Sequence, residues 1–271
     1  MTDRRLTPAN GRVAALHLAG QVDAQQYLEG WPMSVARPVV DLCPAPDSPR
    51  DRQLLLGAQV QVFEDREGWS FVQAADGYVG YVWSEALTET VDVTHAVTSV
   101  ATHAYVAEDF KSPAHFHLPF GTRARVVDER RKFFETDVGF IPKKHLRGLD
   151  RPLTDPASVA QLHFGVPYLW GGNSTRGIDC SGLVSAALGA CGMDCPADSD
   201  LQRDGLGAPV KDAYQRGDLV FWKGHVGMMV DAQTLIHANA HHMACVYEPI
   251  ADAITRIKAQ GDGEVLVRKR L

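Results

Sequence analysis

Apolar and polar positions change period along this chain, and the changes mark its elements. From Gln59 the pattern alternates, with Val60 and Val62 set against Gln59 and Gln61. That is the period of a half-buried strand. Residues 69–72 and 78–83 form two further apolar runs. Asp76-Gly77 lies just before the second of them and predicts a hairpin turn. After residue 150 the period becomes helical. Asp155-Pro156 has the form of an N-cap followed by a first-turn proline, and Val159, Leu162 and His163 supply an apolar stripe. Leu183, Val184, Ala187, Leu188 and Cys191 fall at helical spacing, which predicts a core-facing helix from about 179 to 191, stopped by Gly192. Apolar runs at 218–222, 226–230, 234–237, 244–247 and 265–268 then predict strands. One long helix against an antiparallel sheet is an α+β layout.

A weak internal repeat organises the first half. Val79-Gly80-Tyr81-Val82-Trp83 aligns with Val138-Gly139-Phe140-Ile141-Pro142, 59 residues on, and each run ends at a leucine, Leu87 or Leu146. Upstream, GAQVQVFED at 57–65 resembles GTRARVVDE at 121–129. Two short all-β modules are therefore expected, at 35–92 and 93–150. Residues 1–34 read as an irregular or partly helical arm ahead of the proline-punctuated stretch with Pro38, Pro44, Pro46 and Pro49. Residues 147–154 read as a linker, and 151–271 as the helix-and-sheet domain.

Composition narrows the class. The chain has 271 residues, 45% of them hydrophobic and 22% charged, with a formal net charge of -6 and no long basic run. Nucleic acid and anionic membrane are unfavoured partners. Five cysteines (Cys43, Cys180, Cys191, Cys195 and Cys245) are an odd, scattered set and do not read as a disulfide framework. Reduced thiols fit the cytoplasm. The short stretch at 13–20, interrupted by His17, makes a poor export signal, and no run approaches the ~20 apolar residues of a spanning helix.

The candidate chemistry centres on Cys180. It sits in PYLWGGNSTRGIDCSGLV at 167–184, among Gly171, Gly172, Gly177 and Gly182, where a helix is expected to begin. A helix N-terminus offers unpaired N–H groups and partial positive charge, both of which favour a thiolate. His225 in the run DLVFWKGHVGMMV is the candidate base, and His237 in TLIHAN the candidate orienting group. Each piece has a plainer reading: Cys180 as a buried apolar residue, Asp179 as a helix cap, the histidines as satisfied strand residues. The combination points instead to a cysteine hydrolase. His237, His241, His242 and Cys245 have suggestive metal spacing. No other block completes a ligand set, so neither a metal nor an organic cofactor is called for. Trp222, Met228 and Met229 read as core.

Residues 167–184, then Gly217-Asp218-Leu219-Val220-Phe221-Trp222, His225-Val226-Gly227 and Ile236-His237-Ala238, resemble in order the blocks of the NlpC-type, papain-like cysteine peptidases that cut bacterial cell-wall peptides. The resemblance covers about residues 151–271. It implies Cys180 as nucleophile, His225 as base and His237 as its orienting partner, with Tyr168 close to the nucleophile. One departure is visible. The family often has Leu-Pro-Arg before a Ser-x-x-Gln segment, whereas this chain reads Cys195-Pro196-Ala197-Asp198 before Ser199 to Gln202. The two β modules are similar to bacterial Src-homology-3-like barrels, which commonly precede such domains.

The resemblance further implies cleavage between D-glutamate, through its γ-carboxyl, and an L-diamino acid such as meso-diaminopimelate or lysine. It also implies work on free muropeptides with an unblocked N-terminal L-alanine, as in murein recycling. Asp179 and Ser181 match the family role of holding the substrate ammonium. Tyr78, Tyr81 and Asp51 of the first barrel are further candidates, with barrel core and a solvated loop charge as their plainer readings. Two alternatives stay open: a thiol amidase or acyltransferase on another substrate, and a catalytically silent wall-peptide binder.

Overall fold

The computed structural model describes residues 3–271, which divide into two compact units. The first comprises residues 3–97, 102–118 and 122–146, and the second 98–101, 119–121 and 147–271.

The first unit holds two small β modules, each with its own core. In the first module a five-stranded antiparallel sheet runs, in spatial order, Val79–Trp83, Trp69–Ala74, Gln59–Arg66, Trp31–Val35 and Leu87–Glu89. Gly77, at φ 87°, makes the turn that Asp76-Gly77 predicts. Phe63, Trp69, Phe71, Val79 and Tyr81 fill its centre. The arm expected over 1–34 is shorter than the prolines imply. Trp31–Val35 is an inner strand that pairs with Gln59–Arg66 on one side and Leu87–Glu89 on the other. Pro32 lacks a ladder donor, which argues against an inner strand, but the module tolerates it near the exposed start of the strand. The second module joins Ala114–Pro119, Ala101–Tyr105, Gly139–Pro142, Phe133–Thr136 and Val126–Glu129. Leu56, Val97, Ala104, Leu118, Ala124 and Ile141 form its core.

The second unit is a helix-and-sheet layer pair. Helix α1 (Pro156–Gln161) is capped by Asp155, whose Oδ1 accepts from the Ala157 N–H at 3.1 Å. Helix α2 (Cys180–Ala190) follows Asp179, and the chain leaves it through Gly192 at φ 71°. Helices α3 (Ser199–Gly205) and α4 (Ile250–Ala259) are not expected from the strand-only reading of residues 192–271. The sheet has six antiparallel strands in the order Ala208–Pro209, Val267–Arg270, Leu219–Trp222, His225–Met229, Thr234–Asn239, Ala244–Pro249.

Alternation sends the two faces of this sheet to different partners. Leu219, Phe221, Val226, Met228, Ile236, Ala238 and Cys245 pack with α1 and α2. Val220, Trp222, Met229 and Leu235 pack with Ile250, Ala253 and Ile257 of α4. Phe120 lies in the α1/α2 core although it stands 27 positions before the linker at 147. Its ring meets His163 edge-on, centroids 5.2 Å apart.

Candidate active site

The loop before α2 is tied down by its own backbone. Tyr168 donates its N–H to Met243 O, and Gly172 O accepts from Asp179 N. Asp179 closes the knot with its side chain. Oδ1 accepts from the Gly182 N–H at 2.7 Å and from Ser181 Oγ at 3.0 Å, while Oδ2 accepts from the Gly171 N–H at 2.9 Å. One carboxylate thus caps the helix and holds the glycine turn against it. Glycine is required at 182, because a Cβ there would lie 2.3 Å from Gly172 O.

Cys180 is the first residue of α2 and is buried at 8% exposure. Burial first, and then the Asp179 charge, push its thiol up to about 12. The backbone N–H groups of Val226, Ser181 and Cys180 itself act in the opposite sense, as donors that favour sulfur carrying negative charge. Tyr168 packs against the same core as Cys180, and burial together with the Cys180 and Asp179 charges raises its phenol.

Strand parity brings the histidines together. Trp222 pairs with His225, and Leu235 with Glu248, so His225, His237 and Glu248 project from the same sheet face as Trp222 and Leu235. Gly227 keeps this face open, since a Cβ there would meet the Leu235 side chain at 2.9 Å. His225 Nε2 lies 2.9 Å from His237 Nδ1, and His237 Nε2 lies 2.9 Å from Glu248 Oε2. Arg256 on α4 grips Glu248 with two bonds, Nε to Oε1 at 2.9 Å and Nη2 to Oε2 at 2.7 Å. Burial, reinforced by the neighbouring His237 and Arg256, lowers His225 to about 3. Burial also lowers His237, against the pull of Glu248. Burial alone would raise Glu248. Its bonds to Arg256 and His237 outweigh that and hold it below the usual carboxylate range.

A buried thiol and a buried imidazole are both driven to their neutral forms. The backbone of Val226, adjacent to His225 in sequence, favours negative charge on the Cys180 sulfur.

Of the residues singled out in the sequence, the second unit holds Tyr168, Asp179, Cys180 and Ser181 as one cluster and links His225 to His237. Tyr78, Tyr81 and Asp51 belong to the first unit. There Tyr81 lies in the module core with its ring 5.0 Å from Phe71, and Asp51 accepts from Arg4 Nη1 at 2.8 Å. Arg52 lies over the Tyr78 ring at 5.4 Å. Glu248 and Arg256 escape sequence reasoning. So does the bracing of α2 by Gln202, a fully buried α3 side chain whose Nε2 donates to Ser181 O at 3.0 Å and Pro196 O at 2.9 Å.

His237, His242 and Glu248 bring potential metal-ligand atoms within 4.8 Å of one another. Both oxygens of Glu248 are already engaged by a cation, and both nitrogens of His237 have partners. The donor set fits a hydrogen-bond relay better than a metal. Cys245 projects into the opposite core, away from these residues.

Known proteins match both parts of the chain. Residues 165–256 match the model of the NlpC/P60 family, and residues 42–87 that of the bacterial dipeptidyl-peptidase Sh3 domain. A dipeptidyl-peptidase 6 of Lysinibacillus sphaericus is 26% identical over 217 residues, spanning 69% of this chain and 79% of the relative. A gamma-D-glutamyl-L-lysine dipeptidyl-peptidase of Bacillus subtilis is 27% identical over 213 residues, spanning 69% and 71%. The crystal structure of an NlpC/P60 family protein from Bacillus cereus superposes with a TM-score of 0.75 at 19% identity, over 89% of this chain and 99% of that one. The chain thus combines a papain-like α+β peptidase domain with Src-homology-3-like β structure ahead of it, and it is an enzyme of the cell-wall peptidase class.

Proposed function

We propose, from the premise that residues 165–256 form a domain of the NlpC/P60 family, that this chain hydrolyses the γ-D-glutamyl bond to an L-diamino acid, meso-diaminopimelate or lysine, in cell-wall peptides. The observations that carry the mechanism are a buried cysteine at a helix N-terminus, where the backbone of Val226, the sequence neighbour of His225, favours negative charge on sulfur, and a His225–His237 hydrogen bond of 2.9 Å. The Cys180 thiol gives its proton to His225, and the sulfur attacks the γ-carbonyl carbon. The Cys180 N–H at the start of α2 helps to stabilise the oxyanion, at about 3–4 kcal/mol per donor in other hydrolases. The C–N bond breaks as His225 returns the proton to the leaving amine, which leaves a thioester on Cys180. Water, deprotonated by His225, releases the acid and restores the thiol. His237 holds the His225 ring.

The choice of bond is supported by the relatives named gamma-D-glutamyl-L-lysine dipeptidyl-peptidase. Release of a dipeptide requires recognition of a free N-terminal ammonium, and the proposed anion near the nucleophile is Asp179 with Ser181. Five free thiols support a reducing compartment and hence cytoplasmic work on released muropeptides, as in murein recycling.

The test is incubation with L-Ala-γ-D-Glu-meso-diaminopimelate and with its lysine counterpart, followed by mass spectrometry. Wild type is expected to release L-Ala-D-Glu, and Cys180→Ala none. N-acetylating the alanine is expected to weaken cleavage greatly. Equal rates on free and blocked peptides would remove the ammonium requirement, and turnover by folded Cys180→Ala would remove the nucleophile.

A further inference from the structure

The structure assigns Glu248 and Arg256 a positioning role in catalysis: Arg256 keeps Glu248 an acceptor, and Glu248 sets, through His237, which nitrogen of His225 faces reaction as a lone pair. The inference rests on Cys180 and His225 being nucleophile and base.

Arg256 has donors only. Its two bonds reach both oxygens of Glu248, an ionised and acceptor-only group. Across the 2.9 Å contact, His237 Nε2 must therefore carry the hydrogen. A neutral imidazole has one N–H, so His237 Nδ1 is an acceptor. Across the next 2.9 Å contact, His225 Nε2 must in turn be the donor. His225 is neutral too, which leaves Nδ1 as its lone pair. Nδ1 is the nitrogen outside the relay and the one that can take a proton from sulfur.

Two neutral imidazoles alone do not make that choice. They bond equally well with both tautomers reversed, and the reversed pair leaves the hydrogen on His225 Nδ1, where that nitrogen cannot act as a base. The charge on Glu248 breaks the symmetry. Other charged or titratable neighbours do not. Asp179 and Cys180 lie on the α2 side, His242 faces His237, and Arg256 repels a proton on either ring. Arg256 is itself held, with Nη1 donating at 2.8 Å to Oε1 of Gln260, the residue just past the end of α4.

Glu248→Gln tests the idea with little change of shape, because an amide both donates and accepts. The second-order rate of Cys180 alkylation by iodoacetamide, followed on the Cys180 peptide across pH 5–9, reads the thiol–imidazole pair without any substrate. The full chain is used, with Cys180→Ala as background for the other four thiols. Glu248→Gln is expected to slow alkylation at neutral pH at least about tenfold and to lower kcat similarly. KM should stay within about threefold, and Glu248→Asp should recover much of the loss. Nitrogen-15 spectra of the wild-type ring should show His225 protonated at Nε2 and bare at Nδ1.

A folded Glu248→Gln protein with the wild-type alkylation profile would overturn the assignment, as would a wild-type His225 protonated at Nδ1. If Glu248→Gln fails to fold, Arg256→Gln, which leaves the acid in place, is expected to shift the profile in the same direction, and an unchanged profile there also overturns it. Failure of the wild type to cleave the muropeptides while the alkylation and tautomer results hold would remove the substrate reading and leave this one standing.

Discussion

At the scale of single residues, burial keeps core histidines of the second unit neutral, and this sets how the protein responds to acid. His163 and His237 are buried at 1% and 0% exposure, and burial lowers both from the ordinary histidine range near 6.5. A depressed folded-state value means that the unfolded chain binds protons the folded one refuses. Stability is then complete above about 6.5 and falls as pH drops below it, by up to about 1.4 kcal/mol per pH unit for each histidine. Thermal unfolding is expected at a lower temperature at pH 5.0 than at pH 7.5, and His163→Phe should shrink that difference. An equal difference in the variant would assign the acid response elsewhere. Cys180, His225 and His237 are legible in the sequence because each sits in a short string that announces its own geometry: a glycine turn before a helix, the start of one strand and the interior of the next. Glu248 announces nothing. It matters because it is a strand's width from His237, and its partner Arg256 is eight positions on, in a different element.

At the scale of elements, α2 is where local sequence and tertiary demand agree most closely. Asp179 caps it, Gly192 ends it, and its glycines do unlike work. Gly182 has no room for a Cβ against Gly172 O, whereas Gly189 faces open space. Gly182→Ala is expected to push the glycine turn off the helix, costing about 1–3 kcal/mol and much of the turnover. Gly189→Ala in the same helix should stabilise by about 0.5–1 kcal/mol and leave turnover alone. Melting temperatures and rates for the two variants side by side check both, and a harmless Gly182→Ala would show that the turn yields. The caps made α1 and α2 legible. Helix α4 shows the opposite case. Its stripe of Ile250, Ala253 and Ile257 has helical spacing, but Pro249 and the strands on either side lead the eye to continued sheet. Helix α3 packs chiefly through one residue, Gln202, and a single buried polar side chain leaves no periodic trace.

At the scale of the whole molecule, order along the chain and membership in a core part company. The repeat 59 residues apart marks the two β modules, and the linker at 147–154 marks the start of the last stretch of the second unit. Neither signal marks Phe120, one more aromatic residue in a β run, which nevertheless belongs with α1 and α2. Phe120→Ala is expected to destabilise the second unit by about 3–5 kcal/mol. Calorimetry that assigns the loss to the transition accompanied by loss of activity would bear this out, and a change confined to the other transition would refute it. Phe120 also bears on inheritance. A gene crossover at the linker would transmit every catalytic group and still deliver a hydrophobic core with one tooth missing. Exchange of this peptidase between lineages should therefore favour breakpoints upstream of residue 119, so that the second module travels with the enzyme.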